Sequence, residues 1–263
     1  MMRIAAAVLI AAGVAVVASS AQAAATFDFS APLTLSPTAA PGAWYSDRYD
    51  PATFQSQVSY GGRVNTLSEA TSVADGANNR PGAYSGSFYN TQGRTYDLAP
   101  GTTSMSIDLY IDPLYASGTG AQRIAGFWGV TDNLGYPIIE LDRDASNNLF
   151  FQGWDVNLGG WNTLSPVAGA LTLGSWTTLG ISITGYNAVY SLNGQLAGSA
   201  GAYPATILKS AILQTHNSTD GIVDAAHWGG AAVPEPASWA LMITGFGATG
   251  AMLRRRRQSP MAA

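Results

Sequence analysis

Between Ser104 and Ile111 the chain alternates strictly, with Met105, Ile107, Leu109 and Ile111 on one parity and Ser104, Ser106, Asp108 and Tyr110 on the other. A period of two suits a strand with one buried face and excludes an amphipathic helix, whose apolar positions recur every three to four residues. The alternation returns in Leu179, Ile181 and Ile183 against Gly180, Ser182 and Thr184. It returns again in Ala188, Tyr190 and Leu192, ahead of Asn193-Gly194, a pair suited to the two-residue type I′ hairpin turn. Further strands are expected at 26–29, 124–130, 138–142, 149–154, 207–214 and 221–228, punctuated by Gly, Asn, Asp and Pro. The Gly/Ser/Asn-rich stretch 61–93 reads as loops, and no part of the body reads as helix. Short strands without helical crossovers predict an all-β, antiparallel two-sheet sandwich, with a closed barrel as the alternative.

Residues 24–231 are enough for one sizeable core and require no second domain. Over this body seven Lys and Arg face fifteen Asp and Glu, a net charge of −8 that the whole-chain value of −4 conceals. An acidic body with one lysine and no basic cluster lacks the footprint that phosphate backbones require, so nucleic acid is not an expected partner. There is no cysteine, which removes disulfides, thiolate metal sites and thiol nucleophiles together.

Both ends predict export. Arg3 precedes an apolar stretch over 4–18 and then Ser19-Ser20-Ala21-Gln22-Ala23, so a signal peptide over 1–23 is expected, cut by signal peptidase after Ala23. At the other end Pro234-Glu235-Pro236 leads into 237–253, seventeen uncharged residues closed by Arg254-Arg255-Arg256-Arg257. As a transmembrane helix that run measures roughly 25 Å, a short span, and four arginines would hold its end in the cytoplasm with the body outside. With Trp239-Ala240, Met242, Gly245-Phe246-Gly247 and Gly250 ahead of the arginines, residues 232–263 resemble the PEP-CTERM sorting signal. The resemblance implies that Pro234, Glu235 and Pro236 are recognised by a membrane-embedded exosortase. It also implies delivery to the surface or extracellular polysaccharide matrix of a Gram-negative bacterium.

From Trp176 the sequence Trp-Thr-Thr-Leu-Gly-Ile-Ser-Ile-Thr-Gly-Tyr-Asn-Ala-Val-Tyr-Ser-Leu-Asn-Gly-Gln-Leu is similar to the central hairpin of concanavalin A-like and laminin G-like jelly rolls. That resemblance implies a lectin-like jelly roll whose relatives bind or cleave carbohydrates, although a fold alone licenses no function.

One constellation points to chemistry. In Glu140-Leu141-Asp142-Arg143-Asp144, residues two apart share a strand face and would set three carboxylates in a row, and retaining glycosidases need two carboxyls about 5–5.5 Å apart. The run resembles the Glu-x-Asp-x-Glu strand of jelly-roll glucanases, with Asp144 one methylene short of the second Glu. A plain polar face running into the Asn147-Asn148 turn and the strand that follows is the preferred explanation of the run. His216 and His227 sit in no Gly-x-Ser-x-Gly context and no zinc spacing, so neither is expected to act. Oxygen ligands are abundant at Asp142, Asp144, Asn147 and Asn148. Jelly-roll relatives imply one structural calcium where the first and last strands meet, with Asp28 and Asp224 as ligands. Trp154 and Trp161 flank a polar Gly-rich loop, near Trp128 and Tyr136, and are the expected sugar platform.

The expectation is a non-catalytic exported surface or matrix protein, without cofactor beyond that calcium, bound to exopolysaccharide in a biofilm. The alternative is an extracellular glycoside hydrolase using Glu140 with Asp142 or Asp144. A surface domain that touches no sugar is a third reading.

Overall fold

The computed structural model describes residues 23–72, 74, 91–118, 120–202, 204–216 and 225–230. In chain order its strands begin with β1 (Ala23–Ala25), β2 (Leu35–Ser36), β3 (Trp44–Asp47), β4 (Thr53–Tyr60), β5 (Arg63–Ala70), β6 (Thr91–Asp97) and β7 (Thr102–Ile111). A single turn of helix, α1 (Pro113–Ser117), leads to β8 (Gln122–Thr131), β9 (Ile138–Arg143), β10 (Leu149–Asp155) and β11 (Gly160–Thr163). The rest are β12 (Ser175–Thr184), β13 (Asn187–Leu192), β14 (Gln195–Gly201), β15 (Leu208–His216) and β16 (Ala225–Gly230).

These strands make two sheets. The first runs β14-β13-β12-β7-β16-β5-β4, with β1 also on β7, and the second runs β11-β10-β9-β8-β15-β6-β3-β2. The chain changes sheet at β1 to β2, β3 to β4, β5 to β6, β6 to β7, β7 to β8, β11 to β12, β14 to β15 and β15 to β16, so that many sequence neighbours lie in opposite sheets across the core. Met105, Ile107, Leu109 and Ile111 of β7 meet Phe127 of β8, Ile139 and Leu141 of β9 and Leu213 of β15 in one continuous apolar layer. Alternation dictates this packing, because each apolar parity can leave water only by facing the opposite sheet. At the β13–β14 hairpin Asn193 and Gly194 both have positive φ, 50° and 74°, as the type I′ turn demands.

Several expectations change. The sheets are mixed rather than wholly antiparallel, since β1 pairs with β7 and β2 with β3 in parallel. The first strand lies at Ala23–Ala25 instead of 26–29, where Phe27 and Phe29 are buried in the core from irregular backbone. Ala23, the expected cleavage position, is the first residue of β1 and pairs with Thr102. Part of the stretch read as loops is strand, namely β5 and β6, while 75–90 lie outside the described residues. One short helix does occur in the body: Asp112 caps α1 by accepting from Leu114 N at 2.9 Å, and Pro113 starts it with a fixed φ. The leader 1–22, Pro234-Glu235-Pro236, the apolar run 237–253 and the arginines 254–257 lie outside the described residues. Among those described, no helix is long and apolar enough to cross a membrane.

Candidate active site

On β9, Ile139 and Leu141 point into the core, so Ile138, Glu140 and Asp142 face outward from the second sheet. Register then decides what surrounds them. On β8, Trp128 stands opposite Ile138, Gly126 opposite Glu140 and Arg123 opposite Asp142. Gln152 of β10 is opposite Glu140, and Trp154 is paired with Trp161 of β11. From the other side β15 sets Ile212 beside Trp128 and Gln214 beside Gly126, with His216 two residues beyond.

Glu140 has no exposed surface and is tied on three sides. Its Oε2 accepts from Arg123 Nε at 3.0 Å and Nη2 at 2.6 Å and from Gln152 Nε2 at 3.3 Å, while Oε1 forms an ion pair with His216 Nε2. Burial alone would push its pKa up, but His216 and then Arg123 outweigh it and hold Glu140 below the usual carboxylate range. Asp142, 5% exposed, accepts from the same Gln152 Nε2 through Oδ2. Burial first, then the negative charge of Glu140, push its pKa up to about 8, against a partial offset from Arg123. At neutral pH the pair therefore holds one ionised and one protonated carboxyl, the division of labour that acid–base chemistry requires. Because one nitrogen donates to both, Glu140 Oε2 and Asp142 Oδ2 lie within roughly 6 Å of each other.

The third carboxylate is separated from them. β9 ends at Arg143, and Asp144 turns into the hairpin, where Oδ1 accepts from Ser146 N and Asn148 N, each at 2.8 Å, and Oδ2 from Asn148 Nδ2 at 3.0 Å. The Asn148 bonds, with that from Ser146, hold its pKa low, so Asp144 is a turn cap that cannot act as a proton donor at neutral pH. The residues that complete the site, Arg123, Gln152 and His216, were not anticipated, and Gln214 on the same face donates away from the pair, to Asp47 Oδ2. The available signal for His216 was its parity with Ile212 and Gln214, opposite to the core residues Ala211 and Leu213, once β15 extends two residues past Gln214.

Trp154 and Trp161 are half-buried and meet edge to face, with centroids 5.1 Å apart, beside the cluster of Trp128, Ile138 and Ile212. Arg123, which holds Glu140, also lies 4.9 Å over the Trp161 ring. An adjoining cleft of about 620 Å³ continues along the same face, walled by Tyr45, Asp97, Tyr136, Ser210 and Ile212. Asp28 is exposed and folds back on Ser30, whose N and Oγ it accepts at 2.9 and 2.8 Å. Asp224 lies outside the described residues, and among those described no cluster of three His, Cys, Asp or Glu could hold a metal ion.

No family model and no curated protein matches the chain. Solved structures do. A sialidase matches with a TM-score of 0.42 and 11% identity over 74% of this chain, which spans only 17% of the sialidase. A Bacillus licheniformis β-glucanase matches at 0.34 and 11% identity, covering 70% of this chain and 95% of the other. The Crh5 transglycosylase matches at 0.41 and 12% identity over 79% and 84%. A carbohydrate-binding module and a galectin are among the other matches. The expectation of a non-catalytic body is withdrawn on the Glu140–Asp142 pair, one carboxyl held low and the other pushed up; a β-glucanase and a transglycosylase are among the structures matched. With TM-scores of 0.34 to 0.42 the likeness extends to no residue of the site, and the chemistry that follows is read from this chain's own carboxyls.

Proposed function

We propose that the protein is an exported, glycan-cleaving enzyme of lectin-like jelly-roll architecture that acts on extracellular polysaccharide. The observation that carries this reading is the Glu140–Asp142 pair: two same-face carboxyls in opposite protonation states, bridged by one amide, at a spacing compatible with the roughly 5–5.5 Å of retaining glycosidases. Asp142 supplies the proton to the leaving sugar oxygen, and Glu140 is the ionised carboxylate at the anomeric carbon. Of the two partners expected for Glu140, this assignment keeps Asp142 and sets Asp144 aside. Trp161 and Trp154 receive a sugar ring by stacking, and a ring seated on Trp161 displaces Arg123 from that indole. Withdrawing Arg123 in the same motion uncovers Glu140, so binding prepares the carboxylate for attack. The cleft beside Tyr136 and Ile212 extends the surface for further sugar units.

Delivery follows the two termini: signal peptidase releases the leader after Ala23, and an exosortase recognises Pro234-Glu235-Pro236, leaving the product at the cell surface or in the exopolysaccharide of a biofilm.

The test is release of reducing ends from the producing bacterium's own polysaccharide by purified protein. Glu140→Gln and Asp142→Asn should each lower the rate by roughly 10²–10⁴-fold while the domain stays folded, and Asp144→Asn should leave it nearly unchanged. A wild-type protein that releases nothing, or an Asp142→Asn variant of full activity, would overturn the assignment.

A further inference from the structure

The cleft of about 620 Å³ beside Ile212 carries a carboxylate that the acid–base chemistry does not use. Tyr96 of β6 packs on the core, so Thr95 and Asp97 face outward, on the side of the sheet that bears Glu140 and Asp142, and Ser210 of β15 stands opposite Asp97. Asp97, Tyr45 and Ser210 all line the cleft. Asp97 Oδ1 accepts from Tyr45 OH at 2.7 Å and from Ser210 Oγ at 2.9 Å, while Oδ2, on an exposed side chain, has no partner among the described residues. Burial first, then Asp97, push the Tyr45 pKa up to about 12, so its hydroxyl stays a donor at neutral pH. Two donors on one oxygen fix the carboxylate and leave the other as a preset, accessible acceptor.

Another wall is an exposed leucine on strained backbone. Leu134 is 67% exposed and has a φ of 62°, a region that bulky side chains rarely adopt. The β8–β9 turn holds it there, with Leu134 N donating to Thr131 O at 3.1 Å and Gly135 N to Thr131 Oγ1 at 2.8 Å. An apolar side chain kept in water on such a backbone suits a lip for the C–H face of a sugar ring, and Val130, Tyr136 and Ile212 continue that surface.

Charge narrows which ring fits. Of the other charged groups lining the cleft, Asp47 is paired with Arg48 and bonded by Gln214 Nε2, and Lys209 is exposed. Asp97 and Lys209 therefore supply an acceptor and a donor whose charges cancel. A uronate or sulfate would meet Asp97 and an ammonium would meet Lys209, whereas the hydroxyls of a neutral pyranose, which donate and accept, suit both. The acidic body, at −8, also repels a polyanion as it approaches.

We propose that Asp97 is the specificity-determining residue of a neutral-pyranose subsite in this cleft, accepting a sugar hydroxyl at Oδ2, so that the protein takes uncharged polysaccharide and refuses uronate-bearing chains. The subsite rests on the proposed reading of the outer face as a glycan groove, and not on which carboxyl gives the proton.

The test uses full-length protein carrying Asp142→Asn, which binds without turnover, titrated calorimetrically with six-unit oligomers of glucose, mannose and galactose. Hexagalacturonate and hexameric glucosamine are the charged controls. At least one neutral oligomer should bind, and both controls should bind more weakly. Adding Asp97→Ala, at an exposed position, should weaken the neutral oligomer at least about tenfold with the melting temperature unchanged. Asp97→Lys should turn the preference toward hexagalacturonate, which a merely structural Asp97 would not do. Failure of every neutral oligomer to bind, tighter binding of either control with Asp97 in place, or undiminished binding in the Asp97→Ala protein would overturn the subsite. Asp97-dependent binding by a protein whose wild type releases no reducing ends would support the subsite and sink the acid–base assignment alone.

Discussion

Asp142 and Glu140 differ by one methylene and sit two residues apart, yet their surroundings send them in opposite directions. Arg123 and His216 bond Glu140 directly, while Asp142 is bonded by an amide beside a negative neighbour and feels Arg123 only as a partial offset. A consequence for stability follows with a definite sign. In the folded protein Asp142 keeps its proton up to about pH 8, whereas an unfolded chain gives it up near the ordinary 3.8. Below both values the two states bind the proton equally. As pH rises between them, the unfolded state is favoured by ionisation and the folded state is not, so stability falls, and each pK unit corresponds to about 1.4 kcal/mol. Asn carries no proton, so the melting temperature of Asp142→Asn should overtake that of wild type progressively from about pH 4 to pH 8. Parallel melting curves at all pH values would contradict the protonated state. The activity of the native protein should decline above about pH 8 as the donor is lost.

Among the strands, β7, β12 and β13 were legible because each keeps one wet face, so the alternation is written in residue type. β5 was not. Its sequence, Arg-Val-Asn-Thr-Leu-Ser-Glu-Ala, holds only Leu67 as a large buried apolar residue, and Glu69 is fully buried beside it. Glu69 is tolerated because its Oε2 accepts from Trp228 Nε1 at 2.8 Å and burial pushes its pKa up to about 8, leaving a neutral acid in the core. No pattern of hydrophobicity reveals a strand whose acid is kept neutral by burial and hydrogen-bonded by a tryptophan 159 residues away. Glu69→Gln keeps the shape without the titration, so it should leave the melting temperature near wild type below pH 4.5 and raise it above pH 7. A drop at every pH would show that packing matters more than the proton. The site divides the same way. Glu140 and Asp142 were visible because one strand carries both, whereas Arg123, Gln152 and His216 come from three other strands, and the registers joining them are non-local.

For the molecule as a whole, the proposed route predicts a size change in cells. A protein tagged inside the body should lose mass at both ends on its way out, and replacing Pro234-Glu235-Pro236 with alanines should leave the tail on and the protein in the inner membrane. Full-length, doubly uncut material free in the cytosol would refute export. The body's own entry and exit bear on how those cuts are made. On β7, Ala25 pairs with Met105 and Gly230 with Ile107, only two positions apart, and a side chain at Gly230 would strike the carbonyl of Phe27. Even Ala23, opposite Thr102, is only about 17 Å along the strand from the position of Gly230. On the proposed route, two lipid-embedded legs would therefore leave the body from neighbouring positions on β7. Neither peptidase would then have to wait for the other, and whichever severed its leg first would leave the sandwich hanging by the second from the same edge of β7.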